Sequence, residues 1–184
     1  MRLSRNAFSA RALWSGCRRC RRLVNAPPTI HACAVLTGAR AVLIRGPAGS
    51  GKSRLALNLI QAASRGQLTF ARLVADDRVH VEAAHGRLIA RPAPALAGLL
   101  EVRGLGIMQV PYEPLAVVSW VVDLDVAEPV RLPDATVAHA IVAGLRIRRL
   151  PVAPGCDPVP MVLAAVTSPQ RQFGDTAASP DARS

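Results

Sequence analysis

A strand-rich α/β domain with few helices is the fold class that this 184-residue sequence predicts. Three observations support it. A glycine-rich loop lies between a buried-strand pattern and a helix pattern, short runs of branched apolar residues recur through the middle, and few segments have a helical period. Apolar residues make up 51% of the chain but aromatic residues only 3%, so we expect an aliphatic core.

Residues 1–29 are predicted to be a basic, disordered arm outside the folded domain. They contain seven arginines and no acidic residue and end with two prolines before Thr29, a composition that disfavours a packed core. The segment also resembles an organellar transit peptide, or translated sequence upstream of the true start, and both alternatives stay open. Because much of the net charge of +11 lies there, that charge is a poor argument for nucleic-acid binding.

The first elements of the domain surround a phosphate-binding pattern. Residues 30–36 and 41–45 are apolar runs that predict two strands joined by a turn at Gly38. Residues 46–53 (GPAGSGKS) then fit the pattern G-x-x-x-x-G-K-[ST]. Residues 54–63 place Leu55, Leu59 and Ile60 on one face and predict a helix.

The strand–loop–helix context indicates a site for nucleotide phosphates. Free backbone N–H groups and the dipole at the start of a helix both attract phosphate. We expect Lys52 to reach the β- and γ-phosphates and the Ser53 hydroxyl to hold Mg²⁺. An ordinary glycine-rich turn is the alternative, and the flanking elements argue against it. The predicted phosphate-contacting residues are Gly46, Pro47, Ala48, Gly49, Ser50, Gly51, Lys52 and Ser53.

The middle of the chain is predicted to alternate strands with turns. Apolar, branched runs predict strands over 68–75, 78–82 and 87–91, and a loop rich in proline and alanine follows at 92–98. The run 115–124 (LAVVSWVVDL) is the most strand-like in the chain. The sheet is therefore expected to be built mainly from this region.

The last part of the chain is predicted to hold a helix, a strand and a second helix. Asp134 is a candidate cap for a helix over 134–143 that ends at a glycine. Residues 147–152 predict a strand and 157–166 a final helix. Residues 167–184 are polar and predict a disordered tail, so the folded domain is expected to span residues 30–166.

Two adjacent carboxylates, Asp76 and Asp77, follow the predicted strand 68–75. Open α/β sheets bind ligands at the carboxyl ends of their strands, so both are candidates for the phosphate site. One carboxylate can hold a water of Mg²⁺ while the other accepts a proton. Because neighbours in a strand point to opposite sides, we expect the two to divide these tasks. An acidic turn is the alternative.

Three further positions are candidates with open alternatives. Glu101 stands alone in an apolar stretch, so it needs a partner such as a metal ion or Arg103, and a surface ion pair is the alternative. Gly104 and Gly106 permit a tight loop against a substrate or phosphate, or a plain turn. A lone histidine such as His31 is more often structural than catalytic.

Other classes of protein are disfavoured by composition. Cys17 and Cys20 form C-x-x-C with no second pair at zinc spacing, so loose thiols are favoured over a structural zinc. No apolar run approaches the roughly 18 residues needed to span a bilayer, which predicts a soluble protein. Aromatic residues are not interleaved with basic ones as a nucleic-acid stacking surface requires.

Taken together, these motifs resemble those of HPr kinase/phosphorylase, the bacterial family that phosphorylates a serine of the phosphocarrier protein HPr. The resemblance rests on His31, the loop 46–53, the segment 73–79 (LVADDRV) and the segment 100–107 (LEVRGLGI), which is close to a family signature. It covers residues 30–166 and is similar to the short alphaproteobacterial form, which has the C-terminal catalytic domain only.

The resemblance implies a P-loop kinase core related to that of phosphoenolpyruvate carboxykinase. It also implies a cytoplasmic serine kinase that uses ATP and Mg²⁺, acts on HPr, and regulates carbon metabolism and the phosphotransferase system. Long members of the family are hexamers. By resemblance, Lys52 neutralises the phosphates, and Ser53 and Glu101 are the Mg²⁺-associated positions.

The resemblance assigns proton chemistry to Asp77, which would take the proton of the serine hydroxyl and return one in the reverse reaction. Asp76 would support it within the site, and His31 would assist at the catalytic centre. A family arginine after the long strand is matched by Arg131. The family has a late arginine that is associated with dephosphorylation, and this chain has Cys156 at that position. A cysteine lacks the planar guanidinium fork that matches a phosphate. Kinase activity is therefore expected, and phosphorylase activity is left open.

Two other functions compete with this interpretation. A P-loop kinase of a small molecule predicts a metabolite-sized pocket and transfer without a protein acceptor. A non-enzymatic nucleotide-binding regulatory module, attached to nucleic acid by the basic arm, predicts salt-sensitive binding that is lost with residues 1–29. The pair of aspartates argues against the module, because sensing alone needs no proton acceptor.

Overall fold

The computed structural model describes residues 29–127 and 137–168. They form ten strands and two α-helices, with a short 3₁₀ turn at Pro94–Leu96. In chain order the elements are β1 (Thr29–Thr37), β2 (Arg40–Arg45), α1 (Lys52–Ser64), β3 (Ala71–Ala75), β4 (Arg78–Ala84), β5 (Arg87–Pro92), β6 (Leu99–Val102), β7 (Gly106–Gln109), β8 (Ala116–Asp123), β9 (His139–Val142), β10 (Leu145–Pro151) and α2 (Val159–Thr167).

Eight of these strands form one strongly curved sheet. Its strands follow the order β2-β1-β4-β5-β8-β10-β9, with β3 paired to β1, while β6 and β7 form a separate hairpin. Strand β2 also pairs with β8, so the pairings β1–β4–β5–β8–β2–β1 close on themselves. The closed part is a small barrel, and β10 and β9 extend it beyond β8.

Strand direction decides which loops meet at one edge of the sheet. Strands β2, β8 and β10 are parallel neighbours. Strand β3 runs the same way, because both β2 and β3 are antiparallel to β1. The carboxyl ends of these four strands, and the start of β1, therefore lie at a shared edge, which is where ligands bind in open α/β sheets.

Two hydrophobic clusters bury opposite faces of the central strands. One lies beneath α1, where Leu55 and Leu59 pack against the strand residues Val42 and Ile44. The other fills the barrel and includes Leu43, the neighbour that points to the opposite face. Both faces of β2 are therefore buried, which explains why it is a continuous apolar run rather than an alternating one.

The predicted fold class and most predicted elements are confirmed. The predicted helix 54–63 is α1, the predicted helix 157–166 is α2, and the long strand 115–124 is β8. The predicted strands 30–36, 41–45, 78–82, 87–91 and 147–152 are β1, β2, β4, β5 and β10. Within 29–127 and 137–168, no helix combines the length and apolarity needed to cross a bilayer.

The predicted helix over 134–143 is wrong in its described part, because His139–Val142 is strand β9. It pairs antiparallel with β10 across Ala143 and Gly144, whose φ angles are 48° and 77°. Two consecutive positive φ angles are the geometry of a tight hairpin turn. The glycine that suggested a helix end is therefore a turn residue.

The predicted strand 68–75 is too long, since β3 spans only Ala71–Ala75. Asp76 and Asp77 do not continue it as strand residues but form the turn into β4. Several expectations fall outside the described residues: Arg131, Cys17 and Cys20, residues 128–136, and nearly all of the segments 1–29 and 167–184.

Candidate active site

The phosphate-binding pattern forms the loop between β2 and α1. Gly51 precedes the helix with φ 92°, and Lys52 is its first residue. Lys52 is only 7% exposed, and its Nζ donates to the carbonyl oxygens of Gly46 (3.0 Å) and Pro47 (2.8 Å). The ammonium is therefore held inside the loop, where it can meet an anion bound by the backbone N–H groups.

The loop contains a buried hydroxyl group that forms no hydrogen bond with the described residues. The Ser50 hydroxyl oxygen is buried and has no hydrogen-bond partner among the described residues, and a buried group of this kind calls for an explanation. At Gly46, with φ 154°, an added Cβ would lie 2.7 Å from Ser50 Oγ and 3.0 Å from Leu124 Cβ. The loop is therefore tightly packed with a spare polar atom, which fits an external phosphate as the missing partner.

Asp76 links the loop to the rest of the site. Its Oδ1 accepts the hydroxyl of Ser53 at 3.0 Å, and its Oδ2 accepts the backbone N–H of Glu101 at 3.2 Å. Asp76 is only 5% exposed, so these bonds are shielded from water. Burial first, and then the charge of Asp76, raises the pKa of the Cys33 thiol well above its usual value.

Asp77 faces solvent and pairs with His31. The imidazole Nδ1 lies 2.9 Å from Asp77 Oδ1, and the side chains are 49% and 58% exposed. Asp77 has a positive φ of 61°, a conformation that asparagine and aspartate tolerate better than most residues. Because of this turn the two carboxylates point in different directions. That of Asp76 is buried against Ser53, and that of Asp77 is accessible to solvent beside His31.

The hairpin of β6 and β7 brings Arg103 to the phosphate loop. Residues 103–105 form its turn, and strand β6 is fixed by the bond from the backbone N–H of Glu101 to Asp76 Oδ2. A Cβ built on Gly49 would lie 3.4 Å from Arg103 Nη2, so this guanidinium lies against the loop. Among the ion pairs of the described residues, none joins Arg103 to Glu101.

The oxygen donors at the start of α1 fit a magnesium ion. Mg²⁺ is usually held by one or two protein oxygens together with waters and substrate phosphates. The hydroxyl of Ser53 and the carboxylate of Asp76 provide such oxygens 3.0 Å apart, and the exposed Glu101 lies next to them in the fold. In the described part of the chain, no group of three or more His, Cys, Asp or Glu residues forms a metal-binding cluster.

A second ionic cluster holds the strand ends from which the loops emerge. Asp123 at the end of β8 accepts bonds from Arg45 Nε and Nη2 (2.7 and 2.8 Å) and from Arg149 Nε (2.6 Å). Burial opposes ionisation of Asp123, but the hydrogen bonds from Arg45 and Arg149 outweigh it, so the pKa of this carboxyl is lowered. The cluster ties β2 and β10 to β8 directly beneath the phosphate loop.

A cleft of about 410 Å³ opens on the other side of the phosphate loop from Asp76. It begins at Ser50 and Gly51, continues along α1 past Asn58, and is closed by the segments that follow β8 and β10. Cys156 lines it and is exposed. The loop therefore has the aspartates and histidine on one side and a nucleotide-sized cleft on the other.

The structure brings most of the sequence-derived candidates to one edge. Ser53 and Glu101 both contact Asp76, His31 contacts Asp77, and Lys52 lies in the adjacent loop. Sequence reasoning missed Cys33, Ser50 as an unpartnered group, and the approach of Arg103 to the loop. A signal existed for Cys33, which lies two residues after His31 on the same face of one strand; the others depend on tertiary contacts.

Comparison with known sequences agrees with this arrangement. Residues 25–113 match the sequence model of the family described as the HPr Serine kinase C-terminal domain. A HPr kinase/phosphorylase of Clostridium tetani is 45% identical over 87 residues, which is 47% of this chain and 26% of that protein. One from Streptococcus thermophilus is 46% identical over 83 residues, covering 45% of this chain and 25% of that protein. The chain thus covers about a quarter of the length of these relatives.

A solved structure shares the fold. The HPr(Ser) kinase/phosphatase from Coxiella burnetii superposes with a TM-score of 0.61 and 24% identity, covering 75% of this chain and 87% of the other. The matched family segment contains the phosphate loop, the two aspartates and Glu101, whereas Arg131 and Cys156 lie beyond it. The resemblance to the HPr kinase/phosphorylases is therefore confirmed over residues 25–113, which match the model of the HPr Serine kinase C-terminal domain.

Proposed function

We propose that this protein is an ATP- and Mg²⁺-dependent serine kinase that phosphorylates the phosphocarrier protein HPr. The observation that carries the proposal is the meeting of three parts at one edge of the sheet. These parts are a phosphate loop with a buried lysine, the Ser53–Asp76 hydrogen bond, and the accessible Asp77–His31 pair. The names of the similar proteins supply the acceptor, a serine of HPr.

The chemistry divides between the two aspartates. Asp76, buried and bonded to Ser53, orients the oxygens that would hold Mg²⁺, which neutralises phosphate charge when bound. Asp77 is open to solvent, so an incoming serine hydroxyl can give it a proton. The hydroxyl oxygen then bonds to the γ-phosphorus as the bond to the bridging oxygen breaks, leaving ADP. Lys52 and Arg103 offset the charge on the phosphoryl oxygens.

His31 is proposed to position Asp77 rather than to react. Its bond to Asp77 Oδ1 leaves the second carboxylate oxygen available to an acceptor. Arg78 Nε lies 4.0 Å from Asp77 Oδ2 and adds a weak, solvent-screened attraction.

Other parts of the proposal follow from the same resemblance. They are a core related to that of phosphoenolpyruvate carboxykinase, Arg131 as a further catalytic arginine, a cytoplasmic location, assembly into a homo-oligomer, and a role in regulating the phosphotransferase system. The reverse phosphorylase reaction stays open, because Cys156 replaces a guanidinium.

The test is incubation of the purified protein with HPr, ATP and Mg²⁺, followed by mass spectrometry of HPr peptides. We expect phosphoserine that depends on both ATP and Mg²⁺ and is abolished in Lys52→Ala. The matched control is Arg87→Ala, which removes an exposed cation at the opposite end of the β4–β5 hairpin and should leave transfer unchanged. ATP binding without any phosphoserine would refute the kinase proposal.

A further inference from the structure

Strand β1 runs alongside the turn that carries both aspartates. Its residue Ala34 is paired with Ala75 at the end of β3. Its residue His31 is paired with Arg78 at the start of β4. The two pairs fit one continuous antiparallel register, so residues 32–33 lie directly across from the turn between β3 and β4.

In this register, Cys33 is the residue of β1 opposite Asp76. Side chains two positions apart on a strand point to the same face, so Cys33 and His31 share a face of β1. The imidazole of His31 contacts Asp77. Strand β1 thus offers one side chain to each aspartate, an exposed imidazole to Asp77 and a buried thiol to Asp76.

The thiol of Cys33 is enclosed by the same elements that supply the other partners of Asp76. Cys33 is fully buried, in one hydrophobic cluster with Leu55 of α1 and Leu100 of β6. Helix α1 provides the Ser53 hydroxyl that Asp76 accepts, and β6 provides a backbone N–H. Strand β1, helix α1 and strand β6 therefore surround this carboxylate together.

The carboxylate of Asp76 depends on hydrogen bonds from neutral groups. It belongs to a residue that is only 5% exposed, and none of the ion pairs within residues 29–127 and 137–168 includes it. A buried charge needs such partners, and a thiol S–H is a donor. The pKa of the Cys33 thiol is raised first by burial, then by the charge of Asp76 and by its hydrogen bond to that carboxylate, which places the sulfur within bonding reach of Asp76.

We propose that Cys33 is a positioning residue for Asp76. Its thiol donates to the carboxylate from the side of β1 and holds it in the orientation in which Oδ1 accepts the Ser53 hydroxyl. Because the hydroxyl proton is then committed to Asp76, the oxygen lone pairs of Ser53 are left for a cation. The inference rests on the proposed function only in requiring that Ser53 and Asp76 serve a Mg²⁺ ion.

The first experiment measures the S–H stretching band of Cys33 by infrared spectroscopy in the full chain without nucleotide. The band is identified as the one that disappears in Cys33→Ser. We expect it to shift to higher frequency in Asp76→Ala, because an S–H bond is weakened while it donates to an oxygen acceptor. Circular dichroism shows that each variant is folded. An unchanged band in folded Asp76→Ala would overturn the inference.

The second experiment compares ADP binding in Mg²⁺ with ADP binding in EDTA by titration calorimetry. Groups that orient the ligands of a metal change its affinity by about 10- to 100-fold when they are removed. We therefore expect Cys33→Ala to weaken ADP binding at least about tenfold in Mg²⁺ but less than about twofold in EDTA. Cys33→Ser keeps a donor at this position and should restore most of the affinity in Mg²⁺.

The matched control is Val35→Ala. Val35 lies two residues further along the same face of β1 and is equally buried in the same cluster, but the register places it beyond the turn. Its truncation should lower stability to urea at least as much as Cys33→Ala does, because it also leaves a cavity. The ratio of ADP affinities in Mg²⁺ and EDTA should stay at the wild-type value.

The outcomes separate this inference from the kinase proposal. Equal losses of ADP affinity in Mg²⁺ and EDTA for Cys33→Ala, or a Mg²⁺-specific loss also in Val35→Ala, would show that Cys33 acts only through packing and would overturn the inference. A Mg²⁺-specific loss restored by serine, in a protein that never phosphorylates HPr, would support the role of Cys33 and refute the kinase. Wild-type transfer to HPr by Cys33→Ala at limiting Mg²⁺ would support the kinase and overturn the role of Cys33.

Discussion

Asp76 and Asp77 are adjacent in the chain but have opposite environments. Asp76 is buried and accepts hydrogen bonds from Ser53 and the backbone of Glu101. Asp77 is 58% exposed and contacts His31. The difference arises from the turn after β3, in which Asp77 takes a positive φ. A single reversal of the backbone thus separates a carboxylate that organises the site from one that can meet a substrate.

Replacement of Asp77 by Asn tests its role as proton acceptor. The amide keeps the size and hydrogen bonding of the side chain but cannot take a proton, so transfer to HPr should fall by about 10² to 10⁴-fold. ADP affinity should stay within about threefold, because Asp77 lies outside the phosphate loop. The matched control is Glu82→Gln, an exposed carboxylate paired with Arg91. A transfer rate for Asp77→Asn equal to that control would rule out the base.

Replacement of Arg103 by Ala tests the contact of its guanidinium with the loop. Since Arg103 Nη2 lies near Gly49, its loss should remove charge stabilisation from the transferred group and slow phosphoryl transfer about 100-fold. Arg103→Lys should recover only part of the rate, because an ammonium lacks the planar fork. Steady-state kinetics on both variants and on Arg87→Ala provides the comparison. Wild-type rates in Arg103→Ala would contradict the assignment.

At the scale of elements, the phosphate loop depends on close packing between β2, α1 and β8. Lys52 is bonded to loop carbonyls, and the backbone of Leu124 donates to the carbonyl of Arg45 at 2.9 Å. The loop is therefore fixed from within by its lysine and from below by the segment after β8. Within the loop the N–H of Ser50 donates to the carbonyl oxygen of Pro47 at 3.2 Å, and the remaining N–H groups can meet an anion at the start of the helix.

Replacement of Gly46 by Ala tests that packing. The added methyl would meet Ser50 Oγ at 2.7 Å and Leu124 Cβ at 3.0 Å, and a positive φ adds strain of about 1–3 kcal/mol. We expect ADP affinity to fall at least about tenfold while circular dichroism shows a folded protein. Gly86→Ala is the control, because Gly86 also has a positive φ, 71°, but has open space around it. Equal ADP affinity in the two variants would show that the packing at Gly46 is unimportant.

The hairpin of β9 and β10 shows how an element can be misassigned from sequence. Local signals over 134–143 favoured a helix, with Asp134 as a cap and Gly144 as a stop. Pairing of His139–Val142 with β10 instead places Val142 in the barrel core. Tertiary burial outweighs the weak helix propensity of four residues, because an unpaired short segment gains little from its own hydrogen bonds.

At the scale of the whole molecule, the curved sheet is held together by a cluster that joins three parallel strands. Asp123 receives bonds from Arg45 on β2 and Arg149 on β10. Its pKa lies below the ordinary value of 3.8 because the arginine bonds outweigh burial. A carboxyl whose pKa is lowered on folding stabilises the fold above its ordinary pKa, and this stabilisation is lost as the pH falls through the folded pKa.

Replacement of Asp123 by Asn should therefore destabilise the protein in a pH-dependent way. At pH 7 we expect a loss of about 2–3 kcal/mol in the free energy of unfolding, because two partly buried guanidinium groups lose their partner. Below about pH 4 the difference from wild type should begin to shrink as the unfolded carboxyl takes up a proton, and it should be lost once the pH falls below the folded pKa and the wild-type carboxyl is neutral too. Urea unfolding at several pH values measures this. A difference independent of pH would show that the ionised carboxylate is not the cause.

The sequence alone determined the loop, the helix that follows it, and most strands of the sheet. These features depend on local information. The spacing of glycine and lysine in residues 46–53 marks the loop, and continuous apolar runs mark strands that are buried on both faces. The confirmed resemblance likewise depended on short contiguous motifs, such as LVADDRV and LEVRGLGI, each of which runs from one strand through a turn into the next strand. Such patterns are readable because neighbouring residues share one backbone geometry.

Only the tertiary structure decided which side chains meet. The bond of Asp76 to Ser53 and Glu101, the closeness of Arg103 to Gly49, and the cleft that ends at Cys156 each join segments more than twenty residues apart. Their proximity follows from strand order and direction, which place the ends of β2, β3, β8 and β10 at one edge. No local pattern encodes that edge, because it depends on long-range pairing throughout the sheet.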